Sequence, residues 1–123
     1  MKKEIAKLWT AALRSGKYKQ GQLALHSIQN NNETFCCLGV LCDLYQQDRR
    51  KKKKKGLFVN KTEPSCIEYN HVGRVLPLVV SDWAGMNSYS GVVGNQSLTC
   101  LNDHMGYDFK RIAKFIKDNV EVL

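Results

Sequence analysis

A cysteine-rich apolar run occupies residues 35–45 of the chain. Four of its side chains stand at i, i+3, i+4 and i+7, and this spacing predicts a buried helix. The four are Leu38, Leu41, Cys42 and Tyr45. Cys36 and Cys37 are adjacent, and Cys42 would lie roughly 120 to 140° away from them around such a helix, at about 100° per residue. Thiolate ligands must converge on one point. These three cysteines therefore cannot form a closed zinc site by themselves.

A second apolar stripe, near the start of the chain, predicts a helix over residues 2–14, which Ser15 and Gly16 would end. Its members are Ile5, Leu8, Trp9, Ala12 and Leu13. Later in the chain, Pro77 suits the first turn of another helix, which ends at Gly85. That helix would carry Val79, Val80 and Trp83.

Two further helices are predicted near the end of the chain. Ser97 would cap a short helix over residues 98–104, and Gly106 would close it. Asp108 would cap the last helix, because an apolar stripe follows it directly. The stripe consists of Phe109, Ile112, Ala113, Ile116 and Val120, and the solvated side carries Lys110, Lys114 and Lys117.

The segments that resemble β-strands are shorter than the predicted helices. Leu23 and Leu25 alternate with polar neighbours, which makes residues 18–28 strand-like, and the three asparagines at 30–32 predict a turn. Two short runs farther along could pair as a hairpin, at residues 57–59 and 66–69.

Two segments are predicted to be loops. Residues 46–56 carry like charges that repel one another and cannot be buried, so we expect a mobile basic loop there. Residues 88–96 contain Gly91 and Gly94 and are predicted to be a flexible connection. The complete pattern predicts an α+β fold, mainly α, in one domain over residues 1–123, with about five helices and a short β-hairpin or small sheet.

The positive charge of the chain is concentrated in one tract. The net charge is +8, which by itself is typical of nucleic-acid binding. Residues 49–55, however, hold seven of the 19 Lys and Arg residues, and the remaining 12 face 11 acidic residues, which leaves +1. We therefore expect a nearly neutral folded body with a single basic tract.

The chain has five cysteines, no apolar signal region at its start and no run of about 18 apolar residues. These features predict a reduced, cytosolic protein without disulfides, metal or membrane contact, whose cysteines act as small hydrophobic residues. The alternative is a zinc site built from Cys66, His71, Cys100 and His104, although neither Cys/His pair has the usual finger spacing. Because no paired carboxylates or local nucleophile arrangement stand out, we expect neither an enzyme nor a cofactor.

Four side chains at and after the end of the first helix suggest a nucleotide-contact patch, namely Arg14, Lys17, Tyr18 and Gln20. Arginine offers a planar fork to phosphate, and tyrosine can stack on a base while donating a hydrogen bond. The alternative is that Arg14 and Lys17 only complement the negative end of the helix, which contributes about 0.3 to 1 kcal/mol each. By composition alone, this helix-end role is the more common one.

Asn102 and Asp103 are adjacent in the short helix before Gly106 and form a second candidate. An amide presents both a donor and an acceptor, and a carboxylate accepts from guanine-type N–H groups, so the pair could read base edges. The alternative is hydrogen bonding to nearby backbone, which is common for Asn and Asp near helix ends. Trp83 is a further candidate as a stacking platform, although tryptophan usually buries most of its area.

Several sequence blocks together resemble a widespread family of small bacteriophage proteins. The blocks are residues 9–21, the CCLGVLC run at 36–42, Leu101-Asn102-Asp103 and residues 109–116. They span most of the chain outside the loops, and their order is specific. The family they resemble is that of the phage anti-CBASS nucleotide sponges, cytosolic oligomers that sequester cyclic dinucleotide signals of bacterial antiviral defence.

This resemblance implies a protein that binds and sequesters a cyclic dinucleotide, such as cyclic GMP-AMP, in the cytoplasm of the infected bacterial host without cleaving it. It implies ligand contacts from Arg14, Tyr18, Gln20, Asn102 and Asp103, with the cysteine run as scaffold. A symmetric ligand is well matched by a site across a two-fold subunit interface, so we expect a homo-oligomer, either a dimer or a tetramer.

The chain departs from the family pattern at two places. Residues 49–55 are an insertion, and His104 and Met105 stand where a smaller polar residue is expected. These departures affect the expected ligand preference more than the fold. The competing function is a nucleic-acid or host-protein binding module that uses Arg49–Lys55 as an electrostatic arm, which would bind phosphate backbone with strong salt dependence and little specificity.

Overall fold

The computed structural model describes residues 1–123 as five helices and two small antiparallel sheets. The predicted α+β class is confirmed. The helices are α1 (Lys3–Arg14), α2 (Cys37–Lys51), α3 (Leu78–Ala84), α4 (Leu98–Asp103) and α5 (Phe109–Asp118). The strands are β1 (His26–Gln29), β2 (Asn32–Phe35), β3 (Val59–Thr62), β4 (Cys66–Tyr69), β5 (Val92–Val93) and β6 (Gln96–Ser97). None of the helices has both the length and the apolar composition needed to cross a membrane.

Helix α2 forms the centre of the hydrophobic core. It contacts α1, α3, α4 and β2. Trp9 of α1 is fully buried against it, and the indole Nε1 donates a hydrogen bond of 2.9 Å to the carbonyl oxygen of Cys37. The buried helix predicted for the cysteine-rich run is therefore confirmed. The residues at its start that are fully shielded from solvent are Cys37, Leu38, Val40, Leu41 and Cys42.

Gly39 allows α2 to approach the chain that leads into β1. A Cβ atom at this position would lie 1.6 Å from the carbonyl oxygen of Leu25. The backbone N–H of Cys36 donates to the same carbonyl at 3.2 Å. Because no side chain fits into this contact, glycine sets the separation between the helix and the sheet.

Helix α1 packs against α5 and buries a face that is rotated from the predicted one. Trp9 and Leu13 are buried as predicted, but Leu8 is 54% exposed. Ala6 and Thr10 are buried instead, because the end of α5 and the residues after it lie on their side of α1. The stripe of α5 is buried as predicted at Phe109, Ile112, Ala113 and Ile116, and Val120 is partly buried.

The larger sheet has the strand order β2-β1-β4-β3 and is antiparallel throughout. The turn between β1 and β2 has φ of 52° at Asn30 and 62° at Asn31, the left-handed conformation of a type I′ hairpin turn. The turn predicted at the asparagines is thus confirmed. The predicted hairpin of residues 57–59 with 66–69 is also confirmed, but its first strand begins at Val59 and continues to Thr62.

The strand predicted within residues 18–28 is present only in its last part, because β1 begins at His26. Leu23 has a left-handed φ of 72°, and its N–H donates at 3.0 Å to Oδ1 of Asp103. Leu23 is therefore held by a hydrogen bond to α4 rather than by strand pairing, whereas Gln20 earlier in the segment forms an isolated parallel bridge with Phe35.

The mobile loop predicted at residues 46–56 is wrong for its first half, because α2 continues to Lys51. Arginine and lysine are good helix formers, and cations near a helix C-terminus interact favourably with the helix dipole. Lys52 Nζ lies 3.2 Å from Asp48 Oδ1, and the Arg49 guanidinium lies over the Tyr45 ring, 5.6 Å from its centroid. These local interactions offset the repulsion on which the loop prediction rested.

The remaining helix ends agree with the sequence. Ser97 and Asp108 cap α4 and α5, and each side chain accepts a hydrogen bond from the backbone N–H three residues later. Helix α3 begins after Pro77 and ends at Gly85, whose φ is 68°. The flexible connection predicted at residues 88–96 is corrected, because it contains the short hairpin of β5 and β6.

Candidate functional site

Arg14 lies between two surface hollows at the end of α1. The larger, of about 520 Å³, lies between α1 and the end of α5. The smaller, of about 270 Å³, lies between the end of α1, the segment that follows it and the start of α5. Arg14 lines both. We call the following side chains around the two hollows the Arg14 surface: Lys3, Lys7, Arg14, Tyr18, Gln20, Lys110 and Lys117.

The Arg14 surface is cationic. Its four lysines and its arginine are exposed, and none lies within salt-bridge distance of a carboxylate. Three carboxylates also border the hollows, but Asp118 pairs with Lys114 at 2.6 Å, and Asp108 caps α5. The third is Glu121. The surface therefore keeps an excess of unpaired positive charge, which suits an anionic ligand.

Tyr18 and Gln20 are the predicted residues that the structure brings to Arg14, in the smaller hollow. The Tyr18 hydroxyl donates a hydrogen bond to Asp43 Oδ2 and accepts one of 3.2 Å from Gln47 Nε2. Burial, reinforced by Asp43, raises the pKa of Tyr18 above its usual range. The hydroxyl proton is thus committed to Asp43, and Tyr18 can offer a ligand its ring but not this proton.

Asn102 lies outside the Arg14 surface and is only 2% exposed. Its Oδ1 accepts from Gln20 Nε2 at 2.9 Å and from the backbone N–H of Cys37 at 3.2 Å. Its Nδ2 donates to the carbonyl of Gly21 at 2.9 Å and to Asp103 Oδ1 at 2.8 Å. Four hydrogen bonds exhaust an amide side chain. The predicted ligand role of Asn102 is therefore corrected to a structural one, which joins α4 to α2 and to the segment after α1.

The other three predicted ligand residues also lie outside the two hollows. Asp103 holds the turn before β1 by accepting from the N–H of Leu23. Trp83 is half-buried on α3 and makes an edge-on contact with the Tyr45 ring, at 5.4 Å between centroids. Lys17 is exposed but lines neither hollow. Of the predicted set, the structure therefore places only Arg14, Tyr18 and Gln20 around the smaller hollow, and hydrogen bonds join Gln20 through Asn102 to Asp103 beside it.

A polar cluster that the sequence did not reveal lies around His26 in the larger sheet. His26 Nδ1 is 2.7 Å from the Tyr69 hydroxyl, and Nε2 is 2.8 Å from Glu33. The imidazole stacks on the Phe35 ring at 4.1 Å between centroids. Burial raises the pKa of Tyr69 above its usual range, so its hydroxyl stays protonated. The cluster borders neither hollow of the Arg14 surface, and it stabilises the sheet.

A third hollow, of about 810 Å³, lies over the polar face of the larger sheet. Cys66 and His71 both line it, whereas Cys100 and His104 belong to α4 and its C-cap. The alternative zinc site is therefore not formed, and no group of three or more His, Cys, Asp or Glu side chains is placed to hold a metal ion. All five cysteines are free thiols.

The buried cysteines have altered chemistry. Burial raises the pKa of Cys36 to about 12, and it raises the pKa of Cys37 and Cys42 well above the ordinary value. Because the thiolate is the nucleophilic form, these thiols are unreactive near neutral pH. They serve the core as small hydrophobic side chains.

Comparison with protein families gives one match. A domain of unknown function, DUF8296, matches residues 1–120. The chain belongs to this family. No curated protein and no solved structure matches it.

The Arg14 surface of this DUF8296 domain contains cations that the sequence analysis did not single out. Lys3, Lys7 and Arg14 stand at i, i+4 and i+11, which places them along one face of α1, and this spacing could have identified them. Lys117 and Lys110 were assigned only to the solvated side of the last helix, because nothing in the sequence places α5 beside α1. Chemically, the arrangement can hold phosphate through an arginine fork and several point charges.

Proposed function

We propose that the protein binds and sequesters a cyclic dinucleotide second messenger of bacterial CBASS defence, such as cyclic GMP-AMP, without cleaving it. The proposed site is the Arg14 surface. The observation that supports it is that Arg14 borders both hollows and is accompanied by lysines without carboxylate partners. A cyclic dinucleotide carries two phosphates, so it needs this kind of extended cationic surface. The larger hollow is also within the range of about 300 to 1,000 Å³ that is usual for ligand sites.

Each side chain of the site has a distinct role in this proposal. Arg14 forms a two-pronged contact with a phosphate, and Lys3 and Lys7 add positive charge beside it along α1. The partly exposed ring of Tyr18 provides a stacking surface for a base. Gln20 uses its Nε2 within the protein, at 2.8 Å from the carbonyl of Tyr107, and leaves Oε1 to accept from a base N–H.

The hollows are open to solvent, so one copy of the chain would cover only part of a cyclic dinucleotide. Two copies related by a two-fold axis would present one Arg14 to each phosphate of a symmetric ligand. The proposal therefore includes a homo-oligomer, either a dimer or a tetramer. Light scattering in the presence of saturating ligand should give a mass of at least two chains, and a monomeric complex would refute this part.

Sequestration requires affinity but no transition-state chemistry. A nanomolar site corresponds to about 12 kcal/mol of binding free energy, which must exceed the cost of ordering the ligand. In the proposed setting, the cytoplasm of an infected bacterial host, the protein lowers the free concentration of the signal and returns it unchanged on unfolding.

Isothermal titration calorimetry with a panel of cyclic dinucleotides tests the proposal. Arg14→Ala should weaken binding by about ten- to a hundredfold, because it removes a charge-assisted hydrogen bond worth roughly 1.5 to 3 kcal/mol. Arg74→Ala is the matched control, since Arg74 is exposed and lies outside the Arg14 surface. Thermal melts without ligand check that both variants fold.

Three outcomes would contradict the proposal. Equal affinities of wild type and Arg14→Ala would remove Arg14 from the site. Absence of binding across the panel would exclude the ligand class. Ligand released by heating should have its original mass, and recovery of linear products would show cleavage.

A further inference from the structure

The basic tract, Arg49–Lys55, has a defined backbone conformation at the end of α2. The N–H of Lys54 donates to the carbonyl of Arg49 at 2.9 Å, and the N–H of Lys53 donates to the carbonyl of Arg50 at 3.1 Å. These are the two hydrogen bonds of a Schellman motif. The Arg49 Nε also donates to the carbonyl of Lys55 at 3.2 Å. The chain therefore folds back on itself and concentrates its cations around one helix end.

Lys53 occupies the position in this motif where glycine is usual. Its φ is 53°, a left-handed conformation that costs a residue with a side chain more than glycine. The chain thus accepts backbone strain at a position where glycine would be easier, and it keeps a charge there.

Most of the charge in the basic tract is free. Only Lys52 pairs with a carboxylate, that of Asp48 at 3.2 Å, and Arg49 is occupied by the Tyr45 ring. The remaining cations are exposed and have no carboxylate partner: Arg50, Lys51, Lys53, Lys54 and Lys55. None of them lines the hollows of the Arg14 surface.

We propose that the basic tract binds the phosphate backbone of duplex DNA without reading its sequence. Closely spaced unpaired cations match a dense row of phosphates, and their binding releases condensed counterions. The tract contains no apolar side chain that could insert into a bilayer. The tract itself contains no aromatic side chain for stacking on unpaired bases; Tyr45 before it is buried beneath Arg49, and the Phe58 ring after it contacts the His71 ring at 5.0 Å between centroids. This inference is independent of cyclic dinucleotide binding, since it concerns a different part of the molecule.

Fluorescence anisotropy with a labelled duplex of about 20 base pairs, titrated at several salt concentrations, tests the inference. The triple variant Lys51→Gln, Lys53→Gln, Lys54→Gln should bind at least about tenfold more weakly than wild type. Its slope of log K against log salt should be smaller by up to about 2.7, which corresponds to three lost phosphate contacts. The control variant Lys2→Gln, Lys61→Gln, Arg74→Gln changes the net charge equally at exposed positions elsewhere and should keep both properties.

Two results would overturn the inference. Equal losses in the two triple variants would show that only the net charge matters. Tighter binding of a polyglutamate peptide than of DNA, at equal salt, would identify an acidic protein as the partner. The triple variant of the basic tract should retain wild-type affinity for the cyclic dinucleotide panel, so failure of one site is distinguishable from failure of the other. Circular dichroism of each variant confirms that the helix content is kept.

Discussion

Replacing Asn102 with alanine tests whether the hydrogen bonds around α4 hold the fold together. The amide is buried, and its hydrogen bonds join Gln20, Gly21, Cys37 and Asp103. The N–H of Cys37 lies in the first turn of α2, where no intrahelical acceptor exists. Asn102→Ala therefore leaves this donor without a partner inside the core.

The size of the effect follows from these contacts. One unsatisfied buried donor costs about 1 to 3 kcal/mol, and each of the other lost hydrogen bonds contributes about 0.5 to 1.5 kcal/mol. Gln20 keeps the carbonyl of Tyr107 as an acceptor, and Asp103 keeps the N–H of Leu23 as a donor. The hydrogen bonds lost at Gln20 and Asp103 should therefore each cost a free energy near the lower limit of about 0.5 kcal/mol. We expect the free energy of unfolding to fall by about 3 to 4 kcal/mol.

Urea denaturation followed by tryptophan fluorescence measures this loss, because Trp9 donates to the carbonyl of Cys37 beside the network. Asn87→Ala is the control, since the Asn87 amide is exposed and makes only a long hydrogen bond of 3.4 Å. It should change stability by no more than about 0.5 kcal/mol. If Asn102→Ala kept wild-type stability but lost cyclic dinucleotide affinity, the structural role would be refuted and a ligand contact would be indicated.

Four further experiments probe the packing, the backbone conformation and the buried thiols. Gly39→Ala should destabilise the fold by more than about 4 kcal/mol or prevent folding, because the added Cβ would overlap a backbone carbonyl. In the control variant Gly73→Ala the added Cβ meets only ordinary contacts, so this variant should fold. Expression yield and thermal melting distinguish the two. Lys53→Gly should raise the unfolding free energy by about 0.5 to 1 kcal/mol in urea titrations, because it relieves a left-handed φ; a decrease would contradict this. Thiol labelling at pH 8 should modify Cys66 and Cys100 in the native protein and the three buried cysteines only after unfolding. Burial raises the pKa of these three thiols in the folded protein, so their contribution to stability is complete below the ordinary thiol pKa of 9.0. That contribution is lost as the pH rises through the thiol pKa values of the folded state. A melting temperature that increased above pH 9 would contradict this expectation.

The helices of this protein were largely predictable because their signals are local. The spacing of apolar residues specifies a buried stripe, and caps such as Ser97 and Asp108 satisfy backbone N–H groups within one turn. The turn at Asn30 and Asn31 was equally clear, since asparagine tolerates the left-handed conformation that a tight hairpin needs. Each of these features involves residues that are close in sequence.

The course of the chain through residues 46–56 shows where local reasoning about charge fails. Repulsion among neighbouring cations predicted a loop, but the helix dipole, an ion pair with Asp48 and the contact of Arg49 with Tyr45 extend α2 to Lys51. These effects are individually small and of opposite sign. Their balance depends on side-chain geometry, which composition does not describe.

The candidate site shows the same division between local and long-range information. The residue types at positions 14–20 suggested a phosphate and base contact, although composition alone favoured a helix-end role, and the family resemblance implied Arg14 among the ligand contacts. Only the tertiary structure shows that α5 lies beside α1 and adds lysines to that surface. It also shows that the hydrogen-bonding groups of the Asn102 amide are occupied by partners as far as 82 positions away in the sequence. Helical spacing and caps are properties of neighbouring residues, so they can be deduced from the order of the chain. Which polar groups remain free for a ligand depends on partners that folding brings from distant segments, and the sequence does not state those partners.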